Sequence, residues 1–490
     1  MRKNRSTALA AATFLIVSGA VIAAAPSAYA GVPGSTQASD RNSDFDGDGY
    51  EDVLVGAPGA TVSGRSGAGL VTVQYGSARG IGTGDVARFS QSTSGVAGAA
   101  EAGDGFGRAV ATGDLDGDGF DDAVVGIPGE DLGTVKDAGG VAILWGSKAG
   151  LKGTASDWLE TQEPAAGERF GLGLAAARFT AETDGDLLAV LDGYDVELFA
   201  YDEAARASMR RETTRRLDTK SAEARPVAAK SLTTGDYDKN GFADLVVSGL
   251  SVGDEPGHGW STYLSGNADG LTYERDLRGG PVAASGDING DGYDDLVTGE
   301  PNSPYDQPGE TTTGGLVGVR LGGPDGPAAE PDWWVQDSPG VPGVAEAGDG
   351  WGSDLSVADT DGDGYADVAI GAAGEDIGAV QDAGAVWVLR GSASGATSTG
   401  ARSWDQNSAD VPGAAEKGDK WGAQVRLTDP NGDGRFGLLA AAPGENTGDG
   451  HVWVLSAGAG GITASGSWTY NAASLGAPSV DALFGSAIDE

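Results

Sequence analysis

The stretch Asp114-Leu115-Asp116-Gly117-Asp118-Gly119-Phe120-Asp121-Asp122 decides the fold of this 490-residue chain. Carboxylates at its first, third, fifth and ninth positions converge when the backbone curls, and Gly117 and Gly119 permit the curl. Four like charges so close repel unless a hard cation sits among them, and oxygen-only ligands suit calcium. An EF-hand needs a glutamate at position 12, where Val125 stands; the copies starting at Asp44 and Asp359 carry Val55 and Ile370 there. This loop is shorter than an EF-hand, and it recurs.

Around the loop lies a larger unit. Phe106-Gly107 precedes Asp114 by eight residues and reads as the opening of a strand. Asp122–Val125 reads as a second strand ended by Gly126-Ile127-Pro128, Val141–Trp145 as a third, and Trp158–Gln162 as a fourth. The same offset recurs at Trp351-Gly352 before Asp359 and at Trp421-Gly422 before Asp429. Flanks repeat as well: GEDLGTVKDAGGVAILWGS from 129 to 147 matches GEDIGAVQDAGAVWVLRGS from 374 to 392. Starts at Asp44 and Asp114, and at Asp359 and Asp429, give a period of 70 within each pair. Four strands per repeat at so long a period predict propeller blades rather than a solenoid.

Seven loops imply seven blades: those at Asp44, Asp114, Asp236, Asp287, Asp359 and Asp429, with a degenerate one near Arg178. The first loop lacks a Phe-Gly before it, and Phe484-Gly485 lacks a loop after it. The C-terminal strand is therefore expected to complete the first blade and close the ring. The fold class is all-β, a seven-bladed propeller of four-stranded antiparallel blades over residues 44–490.

The repeat of Phe-Gly, then Asp-x-Asp-x-Asp-Gly-x-x-Asp, then Gly-x-Pro resembles the FG-GAP repeats of the integrin alpha-subunit propeller and of similar secreted bacterial proteins. The resemblance implies a seven-bladed propeller with calcium in hairpins between the first two strands of certain blades. It also implies that the carbonyl oxygen at the seventh position joins the ligands. Five loops are then complete: Asp44, Asp46, Asp48, Tyr50 and Asp52; Asp114, Asp116, Asp118, Phe120 and Asp122; Asp236, Asp238, Asn240, Phe242 and Asp244; Asp287, Asn289, Asp291, Tyr293 and Asp295; Asp359, Asp361, Asp363, Tyr365 and Asp367. Asn240 and Asn289 keep a carbonyl oxygen and lower the charge. The loop with Asp429, Asn431 and Asp433 has Gly437 at its ninth position and is expected to hold calcium weakly or not at all. With Arg178 and Thr180 at its first and third positions, the third loop is expected to be empty. About five calcium sites are expected, structural in role.

Residues 1–30 read as a secretory signal peptide, with Arg2, Lys3 and Arg5 before an apolar run and Ala28-Tyr29-Ala30 as a cleavage site. Gly31–Ser43 reads as a flexible leader, and no second long apolar run follows, so no membrane span is expected after signal removal and the protein is expected outside the cell. A net charge of -41 argues against nucleic acid or anionic lipid as partner. With no cysteine, disulfides, thiol catalysis and cysteine-based metal sites are excluded. His258 and His451 are the only histidines, and both are expected at the surface.

If strands alternate in direction, the acidic hairpins share a face with the third-to-fourth connections. The long loops Gly95–Gly105, Gly129–Gly139, Pro339–Gly350 and Gly374–Gly384 then share the opposite face, where a protein or glycan ligand is expected. Phe89, Trp158, Trp333, Trp404 and Trp468, read as starts of fourth strands, are expected in the blade cores, and Trp334 on the other face of its strand. Arg210, Arg211, Arg215, Arg216, Lys220 and Arg225 cluster between Arg206 and Lys230, as an irregular blade edge or a docking patch for an acidic partner. The leading functional reading is a secreted, non-catalytic binding or adhesion module. The alternatives are an extracellular hydrolase of glycan or lipid headgroups and a structural surface-assembly protein. Glu130 and Asp131 recur as Glu375 and Asp376, as repeat scaffolding does and an acid pair for catalysis does not.

Overall fold

The computed structural model describes residues 43–489 apart from 194, 202–208, 212–226, 253–256 and 303–312. Seven four-stranded antiparallel sheets follow one another along the chain. Blade two shows the pattern, with Ala109–Gly113 innermost, then Asp122–Ile127, Gly140–Trp145 and Lys152–Leu159 at the rim. Blade one is assembled from both ends of the chain: Ala487–Ile488 pairs antiparallel with Val53–Ala57, in the order expected for ring closure. Asp489 fastens the junction, its Oδ1 accepting from Leu54 N (3.0 Å), its Oδ2 from Ser43 Oγ (2.5 Å), and its own N–H donating to Leu54 O (3.1 Å).

Second strands such as Val53–Ala57 and Asp122–Ile127 are buried at every position, because each sheet is covered on both faces by its neighbours. Apolar side chains of consecutive blades meet in shared clusters, for example Leu54, Val71 and Phe106 with Val125 and Leu144 between blades one and two. The ring closes the same way, with Val53 and Val55 against Leu439, Val452 and Phe484.

This packing gives the Phe-Gly and Gly-Ala-Pro signatures a physical reason. A Cβ on Gly126 would lie 2.1 Å from Gly171 O, and one on Gly371 2.0 Å from Gly422 O. The second-strand glycine of one blade thus accepts the backbone of the next blade's Phe-Gly or Trp-Gly pair. The aromatic partner forms a parallel bridge to the preceding blade, as in Gly69–Phe106, Gly139–Phe170, Gly315–Trp351 and Gly384–Trp421. All four rings are fully buried, each contributing about 1.5–3 kcal/mol through apolar burial. In blade two the pair does not open the inner strand, which starts at Ala109; it joins two blades.

Two further sequence expectations are corrected. Phe89, Trp158, Trp404 and Trp468 stand at or near the ends of fourth strands, because the polar segments before them pair with the third strand. Trp334 lies on the other face of its strand from Trp333, as expected: it is partly buried against the core between blades five and six, while Trp333 lies under the Arg278 guanidinium (5.7 Å). His258 is buried beside Arg278, not on the surface; His451 is half-buried, its Nε2 3.0 Å from Asn471 Nδ2. Of the basic stretch, Met209–Arg211 forms the outer strand of blade three. Residues 212–226, like the expected signal peptide and most of the expected leader, lie outside the described residues.

Candidate metal centres

Each acidic loop leads into the second strand of its blade, and from blade two onward it joins the first strand to the second. In the loop at Asp114, Oδ1 of Asp114 accepts from Asp118 N (3.0 Å) and Oδ2 from Gly119 N (3.0 Å). Asp116 Oδ1 accepts from Asp118 N, and Asp118 Oδ1 from Phe120 N (both 3.1 Å). The left-handed backbone at Gly117 (φ 72°) and Gly119 (φ 88°) turns these N–H groups inward. Asp122 is a buried staple: Oδ2 accepts from Leu115 N (3.0 Å) and Oδ1 from Gly146 N (2.8 Å) beyond the third strand. The ninth-position aspartates Asp52, Asp244, Asp295 and Asp367 repeat the staple on Gly76, Gly266, Gly322 and Gly391. Sequence reading had given this position a ligand role only.

Carboxylate oxygens of Asp44, Asp46 and Asp48 lie within 4.8 Å of one another, as do those of Asp114, Asp116 and Asp122, and of Asp359, Asp361 and Asp367. In the other two complete loops an amide takes one place. Asn240 Nδ2 donates to Asp238 Oδ2, and Asn289 Nδ2 to Asp291 Oδ2 (both 2.9 Å). Burial raises the carboxyl pKa values and neighbouring aspartates raise them further, against backbone N–H groups that lower them. Asp114 is pushed up to about 6, Asp295 to about 8 and Asp52 to about 9. Such a cluster is unfavourable when fully ionised and alone, and its hard oxygen donors suit a divalent cation.

The two degenerate loops differ in kind. At Asp429 the turn persists, with Asp433 N and Gly434 N donating to Asp429 (3.1 and 2.7 Å), but Gly437 offers no staple. From Arg178 the loop is one residue longer: Leu187 pairs with Ala177 as Asp122 pairs with Gly113, so an apolar side chain holds the ninth position.

The loops also bond to one another around the ring. The first-position carbonyl of one loop accepts from the eighth-position N–H of the next: Asp44 from Asp121 (3.2 Å), Arg178 from Ala243 (2.9 Å), Asp236 from Asp294 (3.2 Å), Asp287 from Ala366 (2.9 Å) and Asp359 from Phe436 (3.1 Å). Where the eighth residue is acidic its side chain accepts a return bond, Asp44 N donating to Asp121 Oδ2 (2.7 Å) and Asp236 N to Asp294 Oδ2 (2.8 Å). Glu51 does this between the last blade and the first, its Oε2 accepting from Asp429 N and Thr428 Oγ1 (both 2.6 Å). Sequence reading passed over these acids. Their signal was the pairs Glu51-Asp52, Asp121-Asp122 and Asp294-Asp295, in which only the second was needed as a ligand.

At blade six a guanidinium enters the acidic loop. Arg390, the last residue of the third strand and next before Gly391, pairs with Asp361, with Asp367 Oδ2 (2.7 Å) and with Thr360 Oγ1 (2.8 Å). Trp145 holds the corresponding place in blade two.

The opposite face is as parity requires. Ser77 N donates to Pro430 O (3.0 Å) and Ser147 N to Phe45 O (3.0 Å), which puts third-to-fourth turns beside the acidic loops. The remaining connections meet at the other end, as when Gly129 N donates to Asp104 O (3.0 Å). There a latch recurs between consecutive blades: Gln91 Nε2 to Glu130 Oε2 (2.8 Å), Gln336 to Glu375 (2.9 Å) and Gln406 to Glu445 (2.7 Å). Burial pushes all three glutamates up to about 7. The inner strands enclose a central channel of about 300 Å³.

Architecture and repeat together define a seven-bladed propeller whose blades are joined by Phe-Gly and Gly-x-Pro elements. Residues 41–73, 106–144, 279–317 and 351–389 match the FG-GAP repeat family, and these repeats on seven blades fit an FG-GAP propeller resembling the N-terminal domain of integrin alpha subunits. No curated protein matches it. Similar solved structures include BBS1N in complex with ARL6DN, 13% identical, covering 74% of this chain and 80% of that one with a TM-score of 0.37. An Agrocybe aegerita lectin, solved for its recognition of non-reducing terminal N-acetylglucosamine, is 13% identical over 87% of this chain and 93% of that one, with a TM-score of 0.46. The Dos1 propeller is 11% identical over 68% of this chain and 64% of that one, with a TM-score of 0.35. No helix among the described residues is long and apolar enough to cross a membrane.

Proposed function

We propose that this chain is an exported, calcium-stabilised binding module of adhesion type, with its ligand surface on the face opposite the acidic loops. The observation that carries the reading is the division of labour between the faces. Carboxylates with unspent oxygen lone pairs converge on one face, in loops that also bond blade to blade. The other carries the longer connections, held at their bases by Gln–Glu latches. Calcium bound at the acidic loops neutralises their charge and fixes the ring. The amino-terminal Arg/Lys and apolar segment supports export.

The hydrolase alternative predicts a single raised carboxyl group in a central cavity. Glu51 lines the channel and burial pushes it up to about 7. Its oxygen is engaged by Thr428 and Asp429, however, so its position favours a ring-closing latch over proton transfer to a substrate. The test is retention of the intact protein, loaded with calcium, on cell-envelope fractions. Replacing residues 339–350 by a Gly/Ser segment is expected to abolish retention, whereas Asn431→Ala on the other face is expected to leave it intact. Retention lost only in the second variant would reverse the assignment of faces; none lost in either would remove the face from the account.

A further inference from the structure

We propose that the rim of the central channel, where blade seven meets the closing strand, is a binding site for a small ligand bearing two or three carboxylates. The inference rests on the reading that this face binds ligands. It starts from an internal comparison. The same turn occurs as GAAEAGDGFGR at 98–108, GVAEAGDGWGS at 343–353 and GAAEKGDKWGA at 413–423. Blade seven therefore carries Lys417 where its sisters have Ala102 and Ala347, and Lys420 where they have Gly105 and Gly350.

The second exchange works against the backbone. Gly105, Gly350 and Lys420 all adopt left-handed conformations, with φ of 67°, 68° and 60°, and only a glycine does so without steric cost. Both lysines line a cleft of about 560 Å³ with Arg108, Gln424, Thr447 and Ser486. No acidic side chain lines it, although the chain has 72 Asp and Glu against 31 Lys and Arg. Lys417 Nζ donates to the neutral Gln381 Oε1 (2.9 Å), and among the described residues Arg108 and Lys420 enter no salt bridge.

The cleft opens onto the channel through Arg108, Gln424 and Ser486, which line both. Acids of the channel, namely Glu51, Asp121, Asp186 and Asp287, belong to the acidic loops at its far end. An anion at the rim therefore meets cations and hydroxyls first. Charge also sets its size: a net -41 repels an extended polyanion, while a compact one held at the cleft is screened from distant acids beyond about 8 Å at physiological salt. Carboxylates of this kind come from an acidic sugar or from an organic polyacid.

Calorimetric titration of the intact, calcium-loaded protein with trigalacturonate, its neutral methyl ester and tricarballylate tests the site. At least one acid is expected to bind, at least tenfold more weakly to the Lys417→Ala/Lys420→Gly double variant and more weakly in 0.5 M salt, and the ester is expected not to bind. Restoring the sister residues keeps the turn foldable, which an unchanged melting curve checks. Trigalacturonate alone binding assigns the sugar source, and tricarballylate alone the polyacid. If neither binds, or the double variant binds equally well, the site is overturned. Loss of envelope retention on replacing residues 339–350 would then still stand, separating failure of this cleft from failure of the binding face.

Discussion

Blades two and six carry the same acidic loop, yet only blade six holds a cation of its own. At Asp114 the carboxylates meet backbone N–H groups and one another; at Asp359 the Arg390 guanidinium reaches between Asp361 and Asp367. A ligand signature therefore specifies a charge problem without specifying its solution. On the calcium reading proposed above, blade two takes its countercharge from a bound ion. In blade six part of that charge is covalently attached, and calcium would have to displace it.

The largest effect expected from this contrast is at the staples. Asp122→Ala leaves the N–H groups of Leu115 and Gly146 without their acceptor and should cost about 2–4 kcal/mol, read as a lower urea midpoint. Asp367→Ala should cost more in calcium-free buffer, since it also strips Arg390 of a partner. Equal losses would break the distinction between the blades.

Arg390→Leu sharpens it next. Without calcium the variant should lose about 1–3 kcal/mol, less than a fully buried pair because the guanidinium keeps some solvent contact. With calcium, the sixth loop should bind more tightly, seen as one strengthened site in calorimetry. Unchanged calcium affinity would show that the arginine does not compete.

A smaller effect belongs to the opposite face. Gln406→Ala should cost about 1 kcal/mol by breaking the latch to Glu445, read in the same denaturant titration.

The smallest is a pH effect at the same latches. Glu130, Glu375 and Glu445 have folded-state pKa values near 7, above the ordinary 4.5. The folded protein thus holds more protons between these values, so their contribution is greatest below pH 4.5 and is lost as pH rises through 7. Asp295 and Asp52, pushed up to about 8 and about 9, add a loss of the same sign in chelator, so the latch is read by difference: Glu445→Gln should lessen the fall in melting temperature from pH 5.5 to 8 by about 1 °C.

Much of the architecture was legible because it is periodic. The offset from Phe106 to Asp114 and the orphaned Phe484-Gly485 pair sufficed for seven blades and their closure. What Phe-Gly does was not legible, since the glycines that meet Phe106-Gly107, Gly69 and Gly56, lie in the preceding blade. Fourth-strand ends were misplaced because Lys152–Asp157 is polar, and only pairing with the third strand makes it part of a sheet. Within the candidate site, positions one to nine could be read locally. Arg390 could not, although the repeat alignment had set it opposite Trp145. Whether the last residue of the third strand faces the acidic loop is a matter of blade geometry. Glu51 was hidden for the same reason, because its partners Thr428 and Asp429 are at the far end of the chain.

Thermal unfolding of the intact protein in millimolar calcium, compared with the same sample in excess chelator, tests the central claim most directly. Each site at a hundredfold excess over its dissociation constant adds about 2.7 kcal/mol, so several occupied loops should raise the melting temperature by roughly 10 °C or more. A melting temperature unchanged by chelator would contradict the account, leaving the loops as self-sufficient turns held by their backbone bonds alone.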